Sequence, residues 1–93
     1  MTIQEFQNQI EKLYFEKDEK RGIEGTFRWF VEEVGELAKA LRKNDPKNLE
    51  EEFSDCLAWL VSLASLKGID AQKCVQRYFP HCPKCKKLPC SCP

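Results

Sequence analysis

The chain has 93 residues, which is one domain's worth of sequence, so two separate cores are not expected. Hydrophobic residues make up 42% of it and charged residues 32%, too apolar for a disordered chain and too charged for a membrane protein. With 15 basic and 15 acidic residues the formal net charge is zero, which gives no reason to expect a nucleic-acid partner or an anionic membrane.

The charges are divided unevenly along the chain. Up to Asp55 there are fourteen acidic residues against nine basic ones, a net charge of −5. After Asp55 there are six basic residues and one acidic residue, a net charge of +5. Such an asymmetry within one domain indicates two clusters of charge, each suited to an ionic ligand.

The expected location is the cytoplasm. The first residues are polar and acidic, unlike a secretory signal, and no apolar run approaches the ~20 residues of a membrane-spanning helix. In a reducing compartment the six cysteines are better candidates for metal ligands or core residues than for disulfides.

The first half of the chain predicts two helices. The spacing of Thr2 and Glu5 is that of a capping box, which predicts a helix from there to about Lys17. The charged stretch 18–22 is expected to be a loop. A second helix is predicted over 26–43, with its first residue, a threonine, as the cap.

The second half predicts two more helices. Asp45 and Pro46 are typical of a helix start, and this third helix has no internal Gly or Pro before Gly68. Asp70 caps a short fourth helix that must end by Pro80. No stretch alternates with period two, so the predicted fold is all-α: a four-helix bundle over 1–79, completed by dimerisation, with a Cys-rich tail over 80–93.

The second predicted helix has an apolar face and an acidic face. At ~100° per residue, one arc has the usual width of a stripe that packs against a core. This stripe consists of Phe27, Phe30, Val34, Leu37, Ala38 and Leu41. The opposite arc carries Glu32, Glu33 and Glu36 together with Trp29.

The third predicted helix carries another acidic pair, Glu52 and Asp55, three residues apart on one face. Large apolar side chains flank this pair, and burying ionised carboxylates without a counter-charge is costly. Because the helix is apolar over more than half of its circumference, we expect a second subunit to cover it.

Acids from the two helices would meet if the helices packed as an antiparallel pair. Two like charges ~5 Å apart at an effective dielectric of ~20 repel by ~3 kcal/mol, so such a cluster needs a cation. Oxygen ligands favour a hard ion, which predicts Mg²⁺ and chemistry on phosphates. A di-iron site is disfavoured, because the only histidine, His81, lies outside the helices. An ordinary solvated acidic face is the alternative.

These acids form a pattern that is known from other proteins. The segment Glu32-Glu33-Val34-Gly35-Glu36-Leu37 is followed by Glu52-Phe53-Ser54-Asp55, with fifteen residues between Glu36 and Glu52. The pattern resembles the Glu-Glu-x-x-Glu, then Glu-x-x-Asp, signature of the MazG-like nucleotide pyrophosphohydrolases, which belong to the all-α nucleoside triphosphate pyrophosphohydrolase superfamily. The resemblance covers about residues 1 to 79.

The resemblance implies a reaction and roles for the acids. Glu33, Glu36, Glu52 and Asp55 would bind Mg²⁺, and Glu32 or Glu33 would act as the general base. The implied reaction is hydrolysis of a nucleoside triphosphate to the monophosphate and pyrophosphate. The implied assembly is a homodimer or a dimer of dimers.

Three basic side chains are candidates for binding substrate phosphates. Lys73 and Arg77 share a face of the fourth predicted helix, and Lys39 lies beside the acidic arc. The alternative is a solvated basic face for the first two and simple charge balance for Lys39.

Of the two tryptophans, Trp29 lies within the acidic arc, and Trp59 is one of the large apolar side chains that adjoin Glu52 and Asp55. An aromatic face can stack on a nucleobase, which makes Trp29 a candidate substrate-binding residue. The alternative is that each tryptophan fills a dimer interface.

The tail holds four of the six cysteines, Cys82, Cys85, Cys90 and Cys92. A Cys-Pro-x-Cys turn directs both sulfurs at one point, so the tail predicts a structural Zn²⁺ site, offset in charge by nearby lysines. A metal-free flexible tail and a redox role are the alternatives. The other two, Cys56 and Cys74, fall within predicted helices and are expected to fill the core.

Two functions therefore compete. The first is an Mg²⁺-dependent nucleoside triphosphate pyrophosphohydrolase. The second is a non-catalytic helical dimer that presents its zinc knuckle as a binding or regulatory module. The complete set of four acids favours the enzyme, because a site without catalysis has no reason to keep costly charges.

Overall fold

The structure, a computed structural model, describes residues 1–93 as three helices. They are α1 (Ile3–Lys43), α2 (Pro46–Leu66) and α3 (Ala71–Gln76). No strand is present, so the all-α class is confirmed. The structure has three helices instead of the four predicted, because the first two predicted helices join across a kink at Gly22 and form the single element α1.

The start of α1 follows the predicted capping box. The Thr2 hydroxyl accepts a hydrogen bond from the Glu5 backbone N–H at 3.0 Å, and the Glu5 carboxylate accepts one from the Thr2 backbone N–H at 2.8 Å. This second bond holds the pKa of Glu5 below its usual range. Two backbone donors that no helix bond would satisfy are thus paired.

The predicted loop at 18–22 is helical except at Gly22, whose φ of 84° and ψ of 168° interrupt α1. The Arg21 guanidinium donates to the Asp18 carboxylate at 2.8 Å, and this pair supports the helical turn that the charged run was expected to break. A straight helix of 41 residues would measure about 60 Å. The longest dimension of the molecule is 42 Å, so α1 bends. Thr26 lies inside α1 and is not a cap.

The other predicted helix boundaries are confirmed. Asn44 ends α1 in the left-handed conformation, at a φ of 55°. Asp45 then caps α2 by accepting the backbone N–H three residues on, and Pro46 takes the first helical position. Asp70 caps α3 by accepting the backbone N–H of Gln72, two residues on, and α3 ends at Gln76, before the prolines of the tail.

Hydrogen bonds from Gln7 tie the start of α1 to the end of α2. Its side-chain amide donates to the Ser65 hydroxyl at 3.0 Å and to the Ile69 carbonyl at 2.9 Å, and its carbonyl accepts the Ala71 backbone N–H at 2.9 Å. The second half of α1 runs antiparallel along the first half of α2. This arrangement sets the acids of α1 opposite those of α2.

The core of the single chain is small. Only Ile10, Ala40 and Val61 are buried apolar residues. The apolar stripe predicted to face the core is only partly covered: Phe27 is 53% and Leu41 54% exposed, whereas Phe30 and Leu37 are half-buried. The two arms of α1 on either side of the kink at Gly22, together with α2, leave the exposed part of the stripe without a further long helix to pack against. No helix in the structure combines the length and apolar character needed to cross a membrane.

Candidate active site

Three carboxylates from two helices meet at one point. Glu33 of α1 and Glu52 and Asp55 of α2 each place an oxygen within 4.8 Å of the others. Glu52 and Asp55 are neighbours because they lie one turn apart on α2. Glu33 reaches them because its part of α1 runs alongside. We call these three residues the carboxylate cluster.

The carboxylate cluster repels itself. Burial raises the pKa of Glu33, and the hydrogen bond that its protonated carboxyl donates to Asp55 and the charges of Asp55, Glu52 and Glu36 raise it further. Burial likewise raises the pKa of Glu52, with added repulsion from Asp55 and Glu36. One oxygen of Glu52, Oε2, is buried and has no hydrogen-bond partner. An unpaired buried oxygen among like charges fits a divalent cation.

Two of the predicted acids lie outside the carboxylate cluster. Glu36 is close enough for its charge to raise the pKa values of Glu33 and Glu52, but its oxygens are not within the 4.8 Å group. Glu32 is exposed on α1 and is also outside that group.

Trp29 and Trp59 stack on each other. Their ring centroids are 6.0 Å apart and their planes differ by 11°. Trp29 is 47% exposed, so part of its surface is free. The Arg21 guanidinium carbon lies 5.0 Å from the Trp59 ring centroid, in cation–π range. The tryptophans and this arginine therefore form one continuous surface beside the carboxylate cluster.

A cavity of about 290 Å³ opens next to Asp55. Its walls include Trp59 of α2 and Tyr14, Lys17 and Arg21 of α1. None of these three α1 residues was predicted as a site residue: Tyr14 and Lys17 fell in the first predicted helix, and Arg21 fell in the predicted loop. The spacing of Asp18 and Arg21, three residues apart, indicates that they pair if the run is helical, but their position at the cavity depends on the bend in α1.

The comparison with protein families gives a match over most of the chain. Residues 21–87 match the MazG nucleotide pyrophosphohydrolase domain. The chain belongs to this family. The match confirms the resemblance found in the sequence, and the MazG domain supports a pyrophosphohydrolase that acts on a nucleotide. A comparison with curated proteins found no match.

The basic residues predicted to bind phosphate lie apart from the carboxylates of the MazG domain. Lys73 and Arg77 follow α2 on a segment that contacts the start of α1, and the Arg77 guanidinium carbon lies 5.5 Å from the Tyr78 ring centroid. Lys39 is exposed on α1. None of the three forms an ion pair, since Arg21 with Asp18 is the only ion pair in the structure.

The four tail cysteines, of which Cys90 and Cys92 lie beyond the matched residues, converge. All four sulfurs lie within 4.8 Å of one another, and the Cys82–Cys92 and Cys85–Cys90 sulfur pairs are each 3.9 Å apart. Four sulfurs at about 2.3 Å from a tetrahedral Zn²⁺ are about 3.8 Å apart. The tail therefore has a geometry that could bind a metal ion.

Backbone N–H groups favour thiolates in this cluster. The backbone N–H of Ser91 lies 3.4 Å from the Cys85 sulfur, and this bond, with one from Lys87, lowers the pKa of Cys85 to about 6. Bonds from the backbone of Cys85 and Lys84 lower the pKa of Cys82. Hydrogen bonds with the other tail cysteines raise the pKa of Cys92, and the bond with Cys90 has the largest effect.

The remaining two cysteines differ from each other. Cys56 is half-buried on α2 beside the carboxylate cluster, where burial and the charges of Glu33, Glu52 and Asp55 raise its pKa. Cys74 is exposed, so the prediction that it fills the core is wrong. The short helix α3 packs on α1 through other residues.

Proposed function

We propose that this MazG domain hydrolyses nucleoside triphosphates to the monophosphate and pyrophosphate with Mg²⁺. One observation carries the proposal: three carboxylates within 4.8 Å of one another, one of them with a buried oxygen that lacks a donor. Such a set is unfavourable without a cation. Membership of the family supplies the reaction class.

The acids would hold the metal. Glu33, Glu52 and Asp55 would be its ligands, with Glu36 beside them. When bound, Mg²⁺ supplies a Lewis acid that neutralises phosphate charge and acidifies a water molecule. The half-buried position of Glu52 limits its access to competing water, which strengthens its attraction to a cation.

The general base is Glu33 or Glu32. A base is most effective when its pKa lies near the working pH. Burial raises the pKa of Glu33 towards that range. Glu33 therefore suits proton transfer from the attacking water better than its exposed neighbour Glu32, provided that Mg²⁺ leaves one of its oxygens free.

The direct test is pyrophosphate release from common ribo- and deoxyribonucleoside triphosphates, with and without Mg²⁺. We expect Glu52→Gln and Asp55→Asn to lower kcat by about 100-fold or more, because each removes a charge that holds the metal. Glu50→Gln is the matched control, since Glu50 is an exposed acid on the same helix and lies outside the carboxylate cluster.

Turnover that survives both substitutions would contradict the metal assignment. Absence of turnover on every triphosphate would favour the second function, a non-catalytic helical dimer that presents the Cys-rich tail as a binding or regulatory module. The exposed lysines around the cysteines, Lys84, Lys86 and Lys87, are the observation that supports this alternative.

A second copy of the chain is the proposed partner. One exposed apolar row on α1 contains Val31, Val34 and Leu41, and another on α2 contains Phe53, Leu57 and Leu60. Fully burying one such side chain contributes about 1.5 to 3 kcal/mol, and three buried apolar residues cannot offset the conformational entropy of 93 ordered residues. A homodimer or a dimer of dimers would cover these rows.

The proposed metal of the tail is structural Zn²⁺. The two sulfur pairs at 3.9 Å match the edges of a zinc tetrathiolate, and the lowered pKa of Cys85 favours the thiolate that zinc requires. Metal analysis of protein purified without chelator should give about one zinc per chain. A value near zero would favour the metal-free tail or a redox role.

Three finer proposals complete the description. The domain division into 1–79 and 80–93 and the cytoplasmic location stay predictions. Stacking of a nucleobase on Trp29 is supported by the free part of its surface. An unchanged KM for every nucleotide in Trp29→Ala would leave the dimer interface as its role.

A further inference from the structure

The cavity beside Asp55 is lined by groups that suit an anion. Arg21 and Lys17 bring two positive charges, and Tyr14 and Ser62 bring hydroxyl donors. The carboxylate of Asp18, at the cavity wall, is already paired with Arg21 at 2.8 Å. If Asp55 binds a metal ion, its carboxylate is no longer a free acceptor in the cavity. Hydrogen-bond donors then outnumber free acceptors there.

Arg21 is held in place by three neighbours. Its Nη1 donates to Asp18, whose residue is 3% exposed, and lies 3.5 Å from the hydroxyl of the fully buried Thr26. Gly25 makes room for it, because a Cβ at that position would lie 2.7 Å from the Arg21 Cγ. A guanidinium fixed in this way retains most of its N–H groups for a ligand.

A structural ion pair alone does not account for these features. Asp18 uses one nitrogen of Arg21, and Lys17 lines the same cavity without any acidic partner. Two cations next to a candidate metal ligand match a substrate whose phosphate chain carries more negative charge than one divalent ion neutralises.

We propose that this cavity holds the phosphate chain of the nucleotide, with Arg21 and Lys17 as its positive ligands. This inference rests on the proposed function. It assigns phosphate binding to Arg21 and Lys17 instead of Lys73 and Arg77, which lie on the segment beside the start of α1. Arg21 and Lys17 contact the phosphate oxygens. Asp18 is a positioning residue that aims the guanidinium.

The test measures calorimetric binding of inorganic tripolyphosphate with Mg²⁺, alongside KM and kcat for a nucleoside triphosphate. We expect Arg21→Gln and Lys17→Gln each to weaken tripolyphosphate binding and raise KM by about 10-fold or more, the usual effect of losing a charge-assisted hydrogen bond. Arg28→Gln and Lys20→Gln are matched controls, exposed on α1 away from the cavity.

The positioning role of Asp18 has its own readout. Asp18→Asn should raise KM several-fold with little change in kcat, because a neutral amide holds the guanidinium less firmly. A lower melting temperature with unchanged KM would show a structural ion pair only. Gly25→Ala should also raise KM, because the added Cβ displaces the Arg21 side chain.

The outcomes separate this inference from the proposed function. Normal tripolyphosphate binding and KM in a folded Arg21→Gln protein would overturn the inference while hydrolysis stands. If Arg21→Gln does not fold, Lys17→Gln decides in the same way. Absence of turnover in the unmodified protein would end the proposed function, and tripolyphosphate binding would still decide the inference. Failure of the unmodified protein to bind tripolyphosphate would overturn it.

Discussion

Glu52 occupies a position that disfavours folding unless a cation is present. Its Oε2 is buried without a donor, and its neighbours Asp55 and Glu36 repel it. A carboxylate kept under such conditions is explained better by ligand binding than by stability. At the scale of single residues, the structure therefore separates groups that stabilise the fold from groups that serve a ligand.

Glu52→Gln should stabilise the metal-free protein while it abolishes activity. The amide keeps the shape of the side chain, removes the repulsion from Asp55 and Glu36, and can donate a hydrogen bond. We expect the melting temperature in chelator to rise by about a few degrees. Added Mg²⁺ should stabilise the unmodified protein and leave this variant unchanged. A lower melting temperature in chelator would contradict the account.

The stability of the metal-free protein should depend on the raised pKa values of Glu33 and Glu52. Both acids have folded pKa values above the ordinary 4.5, so their protonated forms favour the folded state. This contribution is complete below pH 4.5 and is lost as the pH rises through the raised values. Melting curves of the unmodified protein and the Glu33→Gln/Glu52→Gln protein should diverge over that range. If the melting temperatures of the two proteins changed with pH in parallel, these acids would not contribute to the pH dependence of stability.

Cys85 should be the most reactive thiol of the metal-free protein at neutral pH. Its pKa of about 6 makes it a thiolate there, whereas burial and the charge of Glu33 raise the pKa of Cys56. Alkylation followed by mass spectrometry should give a midpoint near pH 6 for Cys85 and the slowest reaction for Cys56. Added zinc should protect Cys85. Equal reaction rates for the two thiols would contradict this assignment.

At the scale of elements, local sequence signals predicted the helix ends well. They predicted poorly how far the break at Gly22 in α1 extends. The caps at Thr2, Asp45 and Asp70 depend on hydrogen bonds within a few residues, so spacing alone was sufficient. The charged run before Gly22 was misjudged because its fate depends on the pairing of Arg21 with a buried aspartate and on packing against α2. Neither is visible in local composition.

The same limit applies to the candidate site. Residues that lie three or four apart on one helix, such as Glu52 and Asp55, can be placed together from the sequence, and the family pattern added Glu33 from the other helix. Lys17 and Arg21 could not be added in this way, because the bend in α1 brings them to the cavity. The position of a bend is a tertiary property.

Gly22 should be essential for that bend. Its φ of 84° and ψ of 168° are a conformation that is open almost only to glycine. Gly22→Ala should cost about 1 to 3 kcal/mol in free energy of unfolding, although nothing lies within 4 Å of the added Cβ. Glu24→Ala, an exposed neighbour, is the control and should change it by less than about 0.5 kcal/mol. Equal stability of the two variants would show that α1 does not require this conformation.

At the scale of the whole molecule, the balance of zero net charge consists of two charged regions. The acidic excess includes the carboxylate cluster, which a divalent ion would partly neutralise. The basic excess includes the three lysines around the tail cysteines, where a zinc tetrathiolate would carry negative charge. The apolar rows on α1 and α2 are uncovered in the single chain.

Leu60→Glu should disrupt the proposed dimer, because it places a charge within the exposed apolar row of α2, where Leu60 is 51% exposed. Light scattering after size-exclusion chromatography should show a dimer or tetramer for the unmodified protein and a monomer, or loss of folded protein, for this variant. Lys47→Glu places the same charge at an exposed polar position of α2 and should leave the assembly intact. A monomeric unmodified protein would contradict the proposal.

The identity of the products tests the central claim most directly. Phosphorus NMR of a nucleoside triphosphate incubated with the protein and Mg²⁺ distinguishes cleavage at the α–β anhydride from cleavage at the β–γ anhydride. The account predicts signals of the nucleoside monophosphate and pyrophosphate, and neither signal with Glu52→Gln. Formation of a nucleoside diphosphate and orthophosphate, or the same products from the variant at the same rate, would contradict it.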